Sequence, residues 1–273
     1  MHRHASHLDA LGQGQPAESP GPASADNQGG PAVAGRGLTK IYGDGAARVL
    51  ALDSVDVDFA ARCFTAIMGP SGSGKSTLLN LLAGLDTPTT GSVQLGGKML
   101  TGLSDHELTA WRRTHVGFVF QSFNLLPMLT AAQNIRLPLD LAGDNVDQQW
   151  WDTVVDTLAL RDRLHHRPSE LSGGQRQRVA LARGLITRPD VIFADEPTGN
   201  LDTRSGFEVL SFLRQSVREL NQSVVMVTHD PAAAAYAERV VLLADGRLAG
   251  EILHPTKDSV LSALDELTTF VTV

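Results

Sequence analysis

Cysteine is nearly absent: the 273 residues contain one, Cys63. A lone thiol closes no internal disulfide, so the fold rests on its apolar core and suits a reducing compartment. Placed where an apolar run begins, Cys63 reads as a small buried hydrophobe rather than a reactive thiol. A basic surplus is also missing. Lys and Arg number 23 against 30 Asp and Glu, a net charge of −7, which argues against general nucleic-acid binding. Long apolar runs are missing as well: candidates such as residues 224–227 and 240–244 fall far below the roughly 18 residues that cross a bilayer and read as buried strands. The first residues carry no continuous apolar stretch of the signal-peptide kind. The expectation is a chain soluble by itself, with any membrane role reached through a partner. Hydrophobic residues still make up 42% of the sequence, enough for one large core or two modest ones.

Residues 1–35 are rich in Ala, Gly, Pro, Ser and Gln with few large apolar residues, a composition that cannot offset its ordering entropy; they read as a disordered tail. His2, His4 and His7 lie in it without a supporting set of metal ligands. Beyond it, residues 38–42 and 54–59 alternate like antiparallel strands. Short apolar runs at 64–68, 116–120, 191–194 and 224–228 read as buried strands. They are separated by helical stretches at 104–113, across most of 125–168, at 176–186 and at 204–219. Ser104 with Glu107 forms a capping pattern. Residues 240–253 read as a hairpin turning at Asp245-Gly246, and 256–267 as a closing helix. Strands alternating with helices predict an α/β fold with a parallel core, to which an antiparallel β subdomain and a long helical insert are added. No internal repeat is present.

The most informative run is Gly69-Pro70-Ser71-Gly72-Ser73-Gly74-Lys75-Ser76-Thr77. It lies between the strand candidate 64–68 and the helix candidate 78–82, the context that a phosphate-binding loop requires. Its glycines let backbone N–H groups turn toward an anion, and the helix N-terminus adds donors and a positive dipole end. Lys75 is placed for β- and γ-phosphates and the Ser76 hydroxyl for a bridging Mg²⁺. The strand 191–194 ends in Asp195-Glu196. Asp195 suits a magnesium ligand, and Glu196 a general base that polarises the attacking water. Leu171-Ser172-Gly173-Gly174-Gln175 opens another helix with a serine and two glycines. A second anion site of this kind makes sense facing the nucleotide of another copy of the chain; a plain N-cap would account for Ser172 but not for Gly173 and Gly174.

These three motifs, in this order, resemble the ATP-binding cassette (ABC) ATPase family, with matching motifs from Tyr42 to His229 and a resemblance over residues 36–250. The resemblance implies a P-loop NTPase fold of antiparallel β subdomain, RecA-like parallel core and α-helical subdomain. The ATPase domain would occupy 36–255, with the helical part at 122–171 and a C-terminal helix and tail at 256–273. It implies that Tyr42 stacks on adenine and that Gln121 touches magnesium or water. Asp202 would lie in a dimer-contact loop, and His229 would contact the γ-phosphate. The strings Phe120-Gln121-Ser122-Phe123-Asn124-Leu125-Leu126-Pro127 and Ala194-Asp195-Glu196-Pro197-Thr198-Gly199-Asn200-Leu201-Asp202 are similar to the macrolide-exporter, lipoprotein-releasing and cell-division ATPases. Two features depart from the family pattern: Ala61-Arg62 replaces the usual Gly-Glu before the phosphate-loop strand, and the tail has no counterpart.

The implied function is ATP hydrolysis by a dimer that closes around two ATP–Mg²⁺ and drives an integral-membrane permease from the cytoplasmic face of the cell membrane, in export or force transmission. Residues 125–129 offer a permease-docking loop, with ordinary packing of the insert the other reading. A regulatory ABC ATPase acting on a cell-wall or cell-division process is the alternative. Soluble translation or DNA-repair types are disfavoured, because the chain has neither a second cassette nor a long coiled-coil insert.

Overall fold

The computed structural model describes residues 30–270. Two sheets organise them. The first is antiparallel in the order β2-β1-β4-β5, from β1 (Pro31–Tyr42), β2 (Val49–Ala60), β4 (Thr90–Leu95) and β5 (Lys98–Met99). The second contains β3 (Phe64–Met68), β6 (Val116–Phe120), β7 (Val191–Asp195), β8 (Val224–Val227), β9 (Arg239–Ala244) and β10 (Arg247–Leu253) in the order β10-β9-β3-β8-β7-β6. All its pairings are parallel except the β9–β10 hairpin. The described residues also form eight α-helices: α1 (Lys75–Leu82), α2 (Asp105–His115), α3 (Ala131–Ala142), α4 (Gln148–Thr157), α5 (Gly173–Leu185), α6 (Thr203–Leu220), α7 (Pro231–Ala234) and α8 (Lys257–Phe270).

The central strands are apolar throughout because both of their faces are covered. The two-residue side-chain period divides them cleanly. Phe64, Ala66 and Met68 of β3, Ile192 and Ala194 of β7, and Val224 and Met226 of β8 enter one core with α3 to α6. Ile67, Val191, Phe193, Val225 and Val227 point the other way, onto α1 and the antiparallel sheet. The sheet is thus the shared wall of two cores. A one-residue register slip would exchange their linings.

Parallel pairing also fixes where the chemistry sits. Phe120, Asp195, Val227 and Ile67 form one row across β6, β7, β8 and β3. The residues that follow them therefore emerge together at the carboxyl edge, where open α/β sheets bind ligands.

The strand expected from residue 38 begins at Pro31, inside the segment read as tail. Ala32, Val33 and Ala34 are buried, and Val33 pairs with Phe59 and Leu95. The rest of that tail, with His2, His4 and His7, lies outside the described residues. The insert is less helical than expected: residues 121–130 form a loop, with Phe123 and Asn124 at φ of 62° and 48°. Helix α3 starts only after Thr130, whose side chain forms a capping box with Gln133. Cys63 is half-buried, and burial pushes its thiol pKa up, which disfavours the reactive thiolate.

Candidate functional site

The loop from Gly69 to Gly74 joins β3 to α1. Gly74 is the N-cap of α1 at φ 97°. A side chain there would overlap the Ala51 carbonyl oxygen, and one at Gly69 would overlap that of Leu243. Both positions are thereby restricted to glycine. No side chain caps α1, in contrast to α2, α3 and α5, which carry complete capping boxes. The first-turn amides of α1 are left to serve an anion. The Lys75 ammonium donates to the carbonyls of Gly69 at 2.9 Å and Pro70 at 2.7 Å, which curls its side chain over the loop. The Ser73 hydroxyl is buried without a hydrogen-bond partner among the described residues.

A cleft of about 530 Å³ opens over this loop. Gly69, Ser71, Gly72, Lys75, Ser76 and Thr77 line one side, and Glu196 and His229 line the other. Glu196 follows β7 at φ 46°, with its amide donating to the Val227 carbonyl at 3.0 Å. Its Oε1 lies 2.9 Å from Nδ1 of His229. The glutamate side chain is mostly buried, whereas the histidine is 75% exposed at the rim. Burial and then the neighbouring Glu196 push the Asp195 carboxyl up, against Lys75. Burial pushes the Lys75 ammonium down, against Glu196 and Asp195. Lys75 and Glu196 thus line a partly desolvated cleft, and Asp195, outside its lining, acts on Lys75 and is acted on by both.

The cleft fits a nucleoside triphosphate: its cradle leaves no room for a Cβ at Gly69 or Gly74, and its floor is an uncapped helix end. It also fits Mg²⁺ in the limited sense that the candidate donors are hard oxygens: the Ser76 hydroxyl lines the cleft, while the Asp195 carboxylate at the end of β7 and the Gln121 carboxamide after β6 lie beyond its lining. No cluster of three His, Cys, Asp or Glu capable of holding a metal occurs among the described residues. A magnesium ion held with so few protein ligands takes the remainder from phosphate and water.

Gln121 emerges beside this edge. It exchanges two bonds with Asn200, its Nε2 donating to Asn200 Oδ1 at 3.3 Å and its carbonyl accepting from Asn200 Nδ2 at 3.2 Å. Tyr42 ends β1 opposite Val49, a cleft residue. Its hydroxyl donates to Asp86 at 2.8 Å.

Ser172, Gly173, Gly174 and Gln175 do not line the cleft of their own chain. Ser172 caps α5 reciprocally with Gln175 at 2.9 and 3.3 Å. The two glycines have a packing reason that sequence reasoning missed. A Cβ on Gly174 would sit 2.9 Å from Ser205, and one on Gly173 3.2 Å from Leu201, so α5 approaches the start of α6 closely. Asp202 caps that helix, accepting from the Ser205 amide at 3.0 Å. The structure therefore brings Ser172–Gln175 and Asp202 together in a second group, apart from the phosphate loop.

Gln177 also escaped sequence reasoning. It is fully buried on α5, and its Nε2 donates to the Pro197 carbonyl at 2.7 Å and the Phe120 carbonyl at 3.4 Å. One side chain ties α5 to the segments that carry Glu196 and Gln121. Its neighbours Gln175, Arg176 and Arg178 give no sign of burial, and only tertiary packing reveals it.

Comparisons with known proteins agree with this architecture. The ABC transporter family model matches residues 52–199. An ABC transporter ATP-binding protein of Methanocaldococcus jannaschii is 44% identical over 218 residues, 79% of this chain and 97% of the relative. The macrolide export ATP-binding/permease protein MacB of Burkholderia pseudomallei is 44% identical over 230 residues, 84% of this chain but 35% of the relative; the chain spans about a third of that protein's length. Among solved structures, the dimeric post-hydrolysis state of the cassette MJ0796, bound to ADP and Pi, superposes with a TM-score of 0.73 at 40% identity, covering 82% of this chain and 99% of the other. With its phosphate loop, strand-end acids and parallel core all in place, the chain belongs to the ABC transporter family as one of its ATP-binding cassettes, an ATPase.

Proposed function

We propose that two copies of this chain close around two ATP–Mg²⁺ and that hydrolysis opens them, driving a membrane permease. The observation that carries this reading is the division of the motifs into two groups. Lys75, Ser76, Glu196 and His229 share one cleft, whereas Ser172–Gln175 and Asp202 lie together elsewhere. A second copy, turned to face the first, brings the missing group to each nucleotide. The dimeric cassette with ADP and Pi is consistent with that arrangement.

Within each cleft the phosphate-loop amides and Lys75 hold the phosphates. Ser76, Asp195 and Gln121 supply the oxygens for Mg²⁺, which when bound neutralises charge on the phosphates. Tyr42 supplies a platform for the adenine ring. Glu196 accepts the proton of the attacking water, and His229, within hydrogen-bond distance of Glu196, orients that carboxylate and meets the γ-phosphate. Closure excludes water and completes the site, so turnover requires the dimer.

The permease surface extends beyond the loop expected at 125–129. In that loop Leu126 and Met128 are exposed, while Asn134 holds the Leu126 amide and carbonyl. Beside it a groove of about 580 Å³ is lined by Phe118, Phe120, Leu137 and Leu141 with Arg112 and Arg183. Arg183 donates to the carbonyls of Phe123 and Asn124 at 3.0 and 2.5 Å, so the segment from Gln121 to Asn124 joins nucleotide cleft to groove. No helix among the described residues is long and apolar enough to cross a membrane, and docking at this groove puts the chain on the cytoplasmic face of its permease. The relatives named for macrolide export support an export or force-transmitting type; control of a cell-wall or cell-division process uses the same surfaces without transport.

The experiment is affinity capture of tagged Glu196→Gln protein with ATP from detergent-solubilised native membranes. Recovery of a polytopic membrane protein, lost when Leu137 and Leu141 are replaced by Asp, supports the reading. Recovery of only soluble factors overturns the permease coupling.

A further inference from the structure

Asp86 lies in the loop after α1 and takes no part in the chemistry above, yet three donors converge on it. Its Oδ1 accepts from Lys40 Nζ and from the Thr87 amide, each at 2.7 Å, and its Oδ2 accepts from the Tyr42 hydroxyl at 2.8 Å. Lys40 is itself fixed. Its ammonium donates to the Thr87 carbonyl at 2.8 Å and stands 4.8 Å from the centroid of the Tyr42 ring, in cation–π range. Burial raises the Asp86 carboxyl, but the bonds from Lys40, Tyr42 and Thr87 together hold it below the ordinary value. Burial and Asp86 raise the Tyr42 phenol, opposed by the side chain of Thr77, a phosphate-loop residue that lines the cleft. The backbone amides of Leu85 and Asp86 both bond the Asn80 carbonyl of α1, at 2.8 and 3.2 Å. Asp86 therefore links the end of β1 to the helix that begins at Lys75.

We infer that Asp86 is a positioning residue for nucleotide binding: it pins the Tyr42 ring at a set distance from the phosphate loop, so that base stacking and phosphate binding are engaged together. The inference rests on the reading of Tyr42 as the adenine platform. An unclamped tyrosine on a strand end samples several rotamers, and the ordering cost then falls on each binding event. Lys40 adds an orientation that the hydroxyl bond alone does not fix, because it restrains the ring face as well as the ring tip.

The test compares ATP–Mg²⁺ with inorganic tripolyphosphate–Mg²⁺, which has phosphates and no base. Affinities are measured by calorimetry on the full chain with Tyr42→Ala, Asp86→Ala, Asp86→Asn and the double variant Tyr42→Ala/Asp86→Ala. Tyr42→Ala is expected to weaken ATP about tenfold, the value of one stacked base. Asp86→Ala is expected to weaken it by about fivefold and Asp86→Asn by less, since the carboxamide still bonds the phenol. Neither change affects tripolyphosphate, and Asp86→Ala adds nothing once Tyr42 is gone. Equal losses for ATP and tripolyphosphate, or an undiminished Asp86 effect in the Tyr42→Ala background, overturn the inference, because Asp86 then acts on the loop or the fold. A loss for Tyr42→Ala with none for Asp86→Ala overturns the clamp and leaves the platform. Unchanged ATP affinity in Tyr42→Ala overturns the platform itself.

Discussion

Replacing Gln177 by Leu tests whether one buried amide holds the catalytic segments in register. The side chain is fully buried, so Leu fits the volume closely and the change is chiefly polar. The variant loses the 2.7 Å bond to the Pro197 carbonyl and the longer one to Phe120. Leaving a buried carbonyl unpaired costs about 1–3 kcal/mol. Set against this, Gln177 Oε1 has no hydrogen-bond partner among the described residues, and its removal returns roughly 1 kcal/mol. The net destabilisation is about 0–2 kcal/mol, a fall in Tm of up to about 8 °C for a domain of this size. The functional effect is larger than the structural one. Pro197 directly follows Glu196, and a misplacement on the order of 1 Å at a catalytic group costs up to about 10²-fold in rate. ATP affinity should hold within about twofold, because the phosphate loop is untouched, while kcat drops about tenfold or more. Calorimetric binding, thermal melting and steady-state turnover read these three quantities. Unchanged kcat alongside an unchanged Tm refutes the reasoning, as does an ATP affinity that falls in step with kcat.

Three further outcomes follow from the geometry. Gly74→Ala puts a Cβ against the Ala51 carbonyl at a positive φ, at a combined cost of about 2–4 kcal/mol, and is expected to abolish ATP binding and lower Tm; a well-folded variant that binds ATP normally would contradict the glycine assignment. Asp195 has a raised pKa in the folded chain, so the folded state binds more protons than the unfolded one between the two pKa values and stability falls as pH rises through that window. Asp195→Asn is therefore expected to raise Tm of the nucleotide-free protein at neutral pH, with the gain fading as acid protonates Asp195 anyway, and to abolish Mg²⁺-dependent hydrolysis; a Tm gain independent of pH would exclude the burial of charge as its cause. Ser172→Arg adds bulk and charge at an exposed cap and is expected to leave ATP binding intact while blocking ATP-driven dimerisation, read by sedimentation.

The strands that carry the chemistry were legible because each is a short apolar run ending in an unusual residue: Gly69 after β3, Gln121 after β6, Glu196 after β7 and His229 beyond β8. Buried on both faces, such strands leave little ambiguity of type. What escaped was decided by distant partners. Ala32-Val33-Ala34 looks like linker until Phe59 and Leu95 cover it. The loop before α3 looks helical in composition, but Phe123 and Asn124 adopt left-handed backbone under the grip of Arg183. The glycines after Ser172 carry a packing reason that only the fold shows, because Leu201 and Ser205 lie against them. Gln177 and Asp86 are ordinary polar residues in sequence and become junctions only in three dimensions.

The central claim is that each nucleotide is held between two copies, and sedimentation of the Glu196→Gln variant with ATP–Mg²⁺ tests it most directly. Removing the general base while keeping the Lys75 loop intact should trap ATP unhydrolysed. The account predicts a monomer without nucleotide, a stable dimer with ATP, two ATP per dimer, and return to monomer when Ser172→Arg is added. A variant that binds ATP to saturation yet stays monomeric, or that turns over at the wild-type rate, would contradict it.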